Sequence, residues 1–208
     1  MCNDSILNTV KSVVGNDVLV ANSALHTRQE GDNGASWHQV ASNWTDEDKK
    51  HPSVLVQIAL AKSDPKSPVM KFVPGSHSQT MDSEPIEPLN DSFARSRIVD
   101  TTSFEKQGVD MSLESGECVF LHPNIVQSSP EEIDDLTILS VLYVSASSNP
   151  ISNGMFGTSA MLVSGQEDSD SKYDVVEKRP AEEFSPKALD LHRSQLFVPL
   201  PSDGDEEQ

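Results

Sequence analysis

Two runs constrain this chain more than anything else in it: Ser53–Ala61 (SVLVQIALA) and Leu136–Ser145 (LTILSVLYVS). Side chains of an extended segment point alternately to opposite faces, and here both alternations are largely apolar. A strand with little polarity on either face is covered on both sides, so Ser53–Ala61 is expected at the centre of a sheet and Leu136–Ser145 as another buried strand.

Shorter pieces of the same kind surround them. Asp17–Asn22 (DVLVAN) reads as a strand, Gln29–Ala35 as a loop and Ser36–Trp44 as a second extended piece. Val69–Val73 (VMKFV) alternates and stops at the turn pair Pro74-Gly75. Gln79–Asn90 is rich in Ser, Pro and acids and reads as a long loop, and Ala94–Asp100 alternates after it. Gly116 introduces the strand Glu117–His122, which ends at Pro123-Asn124, and Ser159–Val163 is one more strand. Helix is expected only near the N-terminus and around Pro186–Gln195. With 208 residues, thirteen prolines and ten glycines, the expectation is one all-β-dominated domain, a sandwich or barrel with few short helices. Its limits are residues 17–200, with a short N-terminal extension at 1–16 and an acidic, disordered tail at 201–208.

Charge narrows the partners. Fifteen basic against 33 acidic residues give a formal charge of -18, which repels phosphate surfaces, so neither nucleic acid nor an anionic membrane is expected to bind. No stretch approaches the roughly 20 apolar residues that cross a bilayer, and Met1–Gly15 lacks the pattern of a signal peptide. Cys2 and Cys118 are the only cysteines, too few for a disulfide framework. A cytoplasmic, soluble protein is the expectation.

Three stretches, in order, resemble the phytanoyl-CoA dioxygenase family. They are Ser36-Trp37-His38-Gln39, then Met70-Lys71-Phe72-Val73-Pro74-Gly75-Ser76-His77, then Ser112–His122 with its Gly116-Glu117 step. Lys62-Ser63-Asp64-Pro65, after the Ser53–Ala61 strand, fits the family's acid-and-turn segment. Members related to phosphonate-hydroxylating enzymes look most similar, judged by the Gly-Glu strand. The resemblance covers about residues 17 to 145. It implies a double-stranded β-helix (a cupin-like jelly roll) in which two His and one carboxylate hold Fe(II), and an Arg on a following strand grips 2-oxoglutarate in a bidentate fork.

Set against that pattern, this sequence has lost its polar anchors. His38 stands at the first ligand position, but the carboxylate two residues on is Val40, which has no lone pair to offer. Related halogenases place Ala or Gly there and keep both histidines, whereas Val fills the room a chloride would need. The distal imidazole falls on Gln127, and the cosubstrate arginine on Leu136. No Lys or Arg occurs between Gln127 and Lys172, so a buried dicarboxylate would find no cation there. Gln39 and Ser129 are the surviving positions that can touch the cosubstrate.

The expectation is therefore a degenerate member, a pseudoenzyme or binding domain with no cofactor. The alternative is an active non-haem iron hydroxylase using Fe(II) and 2-oxoglutarate on a rearranged site, recruiting His122 or an acid from Gln79–Asn90. His77 and Cys118 read as structural, while His26, His51 and His192 read as surface residues. Family members carry helices packed on the jelly roll before the first strand. Only about sixteen residues precede Asp17 here, so either that layer is gone or the gene model is truncated. A protein partner or a second copy is expected to cover a sheet face left bare.

Overall fold

The two long apolar runs form adjacent strands of one sheet. In the computed structural model, residues 1–29, 34–62, 68–78, 81, 83–84, 98–99, 107–129, 136–151, 158–166, 168, 170–176 and 186 are described. Helix α1 spans Asp4–Val14 and leads into β1 (Val18–Arg28), β2 (Ala35–His38), β3 (Ser53–Lys62) and β4 (Met70–Phe72). There follow β5 (Ser83–Glu84), β6 (Ile98–Val99), β7 (Val109–Met111), β8 (Cys118–Leu121) and β9 (Gln127–Ser129). The last three are β10 (Leu136–Ser145), β11 (Ser159–Ser164) and β12 (Asp174–Val176).

A six-stranded sheet runs β12-β11-β1-β10-β3-β8, and a four-stranded sheet runs β2-β9-β4-β7. β5 and β6 pair separately. β10 lies between β1 and β3, antiparallel to both. β3 is interior too, flanked by β10 and β8, as its apolar pattern requires. The strand-dominated architecture is the one expected from the sequence.

Both apolar faces of the long strands are accounted for. One face of β3 and β10 joins the opposing sheet through Leu55, Ala59, Leu136 and Ile138, with Met70 of β4 in the same cluster. The other face presents Val54, Val56, Val141 and Tyr143 to Leu7, Val10 and Val14 of α1. That helix is amphipathic at i, i+3, i+7 and is capped by the Asn3 side chain, which accepts from the Ser5 and Ile6 amides at 3.0 and 3.3 Å. α1 thus covers a sheet face from within the 1–16 extension, where helix was expected near the N-terminus. Among the described residues, no helix is long and apolar enough to cross a membrane.

Two differences from the sequence reading bear on the site. The Ser36–Trp44 piece is extended only to His38, and Val40–Asn43 is a one-turn 3-10 helix. β1 continues six residues beyond Asn22, through a bulge between Val20 and Asn22 that leaves Ala21 without a register partner on β10. An extra residue inverts the alternation. Leu19 and Ala21 face the interior before the bulge. Beyond it, Asn22, Ala24 and His26 do so, while Ser23, Leu25 and Thr27 are exposed. The stretch 187–195, His192 and the tail 201–208 lie outside the described residues, as do most of Gln79–Asn90 and Ala94–Asp100.

Candidate binding site in the barrel

Between the two sheets lies a cavity of about 110 Å³, room for several waters or one small molecule. Its lining is drawn from both sheets. Leu55, Val69, Met70, Leu136, Ile138 and Leu142 make it apolar, and His26, His38, Gln39, Gln57, Gln127 and Ser129 stand out among its polar groups. No Asp, Glu, Lys or Arg occurs among the described residues that line it.

His38 and Gln127 are 89 residues apart in sequence but directly opposite in the β2–β9 ladder. A chain of hydrogen bonds orients them. His38 Nδ1 lies 2.7 Å from the Ser36 carbonyl, which can only accept, so Nδ1 carries the proton. In the neutral ring Nε2 then holds the lone pair, and the Gln127 Nε2 amide faces it at 3.4 Å. The other end of that amide, Oε1, is therefore directed away from the imidazole. It is buried with no hydrogen-bond partner among the described residues, and Gln127 itself is only 3% exposed. Gln57 on β3 repeats the feature: it lines the cavity, is 8% exposed and has a buried Oε1 that is equally unpartnered.

The remaining sequence-derived positions fall nearby. Val40 lines the cavity from the first residue of the 3-10 helix and packs on the core. Gln39 is buried, but its amide ties down two loops: Nε2 donates to the Asn124 carbonyl at 2.7 Å, and Oε1 accepts from the Met81 amide at 3.0 Å. Ser129 also lines the cavity. His122 does not. Its Nδ1 accepts from the Asn124 amide at 3.0 Å and its ring centroid is 5.3 Å from that of His77. Burial and then the His77 charge hold the His122 imidazole below its ordinary pKa. Cys118 is half-buried, and burial together with Glu117 raises its thiol pKa, as expected of an inert thiol.

Three residues stand where sequence reasoning did not put them. His26 lines the cavity instead of the surface. His51 is half-buried rather than exposed, with its Nε2 inaccessible to water. Arg28, which no motif flagged, is 2% exposed at the end of β1. It pairs in register with Leu136, the position at which the resemblance places an arginine, and its Nη1 donates to Ser129 Oγ. The cation missing from β10 is present one strand away.

The sequence model of the phytanoyl-CoA dioxygenase family (PhyH) matches residues 1–132. The chain belongs to the phytanoyl-CoA dioxygenase family. Solved structures of similar fold include the non-haem monooxygenase ThoJ in its apo form, 24% identical, with a TM-score of 0.70 over 93% of this chain and 69% of that one. The ThoJ–Ni complex gives 23% identity and a TM-score of 0.65 over the same shares. EctD from S. alaskensis, solved with 2-oxoglutarate and 5-hydroxyectoine, is 15% identical, with a TM-score of 0.58 over 85% of this chain and 62% of its own. No curated protein sequence matches the chain. For a member of this family the donors around His38 do not fit a two-histidine, one-carboxylate iron site. Val40 and Gln127 stand at the other two ligand positions that the resemblance assigns, and no cluster of three His, Cys, Asp or Glu occurs among the described residues.

Proposed function

We propose that this phytanoyl-CoA dioxygenase family member does not carry out the iron/2-oxoglutarate reaction and uses its barrel cavity as a metal-free binding site. One observation carries the reading. The face of His38 that would have to meet a metal meets the Gln127 amide instead, with Val40 lining the same cavity. An amide oxygen is a weak donor to iron and an isopropyl group is none. The cavity itself has not collapsed: it stays open and partly polar, as a binding site requires. The two free cysteines fit a reducing, cytoplasmic setting for such a protein.

The test is direct. After anaerobic loading with Fe(II) and desalting, the protein should retain far less than one equivalent of iron. It should also release no succinate from 2-oxoglutarate above a protein-free control. Stoichiometric iron together with succinate formation that disappears in His38→Ala would overturn the reading.

A second reading, an iron hydroxylase with a rearranged donor set, draws on His26, a second imidazole lining the same cavity. It requires His26→Ala and His38→Ala each to remove bound iron. His122 does not serve this reading, since it is engaged with Asn124 and His77 outside the cavity.

A further inference from the structure

We propose that the barrel cavity takes a small uncharged molecule with a mainly apolar body, about four to six heavy atoms in size. This deepens the metal-free reading above and rests on it. Strand pairing shows how the space is made. Alternate residues of β10 face the cavity, and their partners on β1 and β3 continue each of them into a row. Asn22, Leu142 and Leu55 form one row, Ala24, Ser140 and Gln57 the next, and His26 and Ile138 the one after. Ala24 and Ser140 are small side chains between bulkier rows, and they leave a gap in an interior that is otherwise closely packed. An apolar cavity of roughly 150 Å³ holds a benzene molecule, and the 110 Å³ here sets a size slightly below that.

Charge decides what can enter. The two positions to which the family resemblance assigns a charged group are Val40 and Leu136, and both line the cavity as hydrocarbon. No charged side chain occurs among the described residues of the lining. A carboxylate or an ammonium would therefore leave water without meeting its opposite, a cost that the few contacts of so small a molecule do not offset. Arg28 does not relieve an anion, because it is 2% exposed, lies outside the lining and donates through Nη1 to Ser129. Its buried positive charge opposes a cation as well. An apolar body, by contrast, meets Leu55, Val69, Met70, Ile138 and Leu142. Ser140 brings a hydroxyl to the middle row, enough for one neutral carbonyl or hydroxyl on the ligand.

Methyl isopropyl ketone and isobutyrate test this, since they have nearly the same shape and differ by a methyl group in place of a charged oxygen. Each is titrated into the full chain in EDTA, with binding followed by backbone amide NMR shifts. The ketone should bind with a Kd on the order of 1 mM, its shifts centred on Ala24, Ser140 and Gln57. Isobutyrate should bind at least about tenfold more weakly. Ala24→Leu fills the middle row and should weaken ketone binding by at least about tenfold. Ser140→Leu is the second filling variant should the first not fold, and the wild-type comparison stands without either. No saturable ketone binding, shifts centred outside the cavity, equal or tighter binding of isobutyrate, or unchanged affinity in a folded filling variant would overturn the proposal. EDTA separates the two ideas: succinate release on added Fe(II) defeats the metal-free reading, whereas failure of these titrations leaves it intact.

Discussion

The identity of one atom decides what His38 can do. With Nδ1 committed to the Ser36 carbonyl, the Nε2 lone pair faces the amide nitrogen of Gln127 at 3.4 Å. Reversing the two replaced positions tests whether the scaffold still remembers a metal. In Val40→Asp with Gln127→His, a carboxylate enters the cavity lining without a partner. We expect the metal-free double variant to lose about 2 kcal/mol or more against urea. Adding Co(II) or Fe(II) should recover that loss as a rise in Tm, while the wild-type protein shows no shift. Equal metal response in both proteins would mean that Val40 and Gln127 are not what excludes the ion. Gln39 makes a different point at this scale. Its buried amide bridges Asn124 and Met81, a structural role at a position the family resemblance assigns to the cosubstrate.

Among the elements, β1 and α1 carry the most consequence. A single unmatched residue in β1, Ala21, inverts the alternation, so that Asn22, Ala24 and His26 line the cavity and Arg28 reaches Ser129. Without that bulge Asn22, Ala24 and His26 would face outward and Ser23, Leu25 and Thr27 inward; as folded, Leu25 is 59% exposed. Helix α1 owes its place to three apolar residues on one face. Val10 is fully buried there and Val13 is 55% exposed. Val10→Ala should cost about 2 kcal/mol in urea unfolding, while Val13→Ala should fall within about 0.5 kcal/mol of the parent. Equal effects at the two positions would mean that α1 does not dock through this face.

For the whole molecule, pH offers a clean readout because the chain has two tyrosines and both are buried. Burial is the leading cause in each case, and it pushes Tyr143 and Tyr173 up from 10 to about 12. In the unfolded chain both phenols titrate near 10. A raised folded pKa means that the folded state holds the proton more tightly. The associated stability is therefore fully present below pH 10 and is lost as pH rises from 10 toward 12. Absorbance at 295 nm should show no phenolate near pH 10 in the folded protein. In urea, both phenolates should appear with a midpoint near 10. Phenolate signal at the ordinary midpoint in the native protein would contradict this packing.

Much of the strand inventory was legible in the chain, because alternation and turn residues are local properties. Leu136–Ser145 is bounded as expected, and Ser53–Ala61 extends by one residue to Lys62. Short strands without a run of their own, Gln127–Ser129 and Asp174–Val176, were not legible, since three residues carry no period. The helix was half-hidden because its buried stripe, Leu7, Val10 and Val14, is blurred by Ile6 and Val13 beside it. At the site, the resemblance brought His38, Val40 and Gln127 into question, and the structure sets all three around one cavity. His26 and Arg28 escaped notice because their inward direction depends on a bulge, and nothing in the sequence announces one. The sequence by itself determined that the family's usual donor set is replaced, because a valine has no lone pair to ligate with and an amide is a poorer donor than an imidazole wherever they sit. Only the tertiary structure decided what replaced it, since the direction of a side chain past a bulge, and the partner of an amide 89 residues away, are settled by pairing between strands.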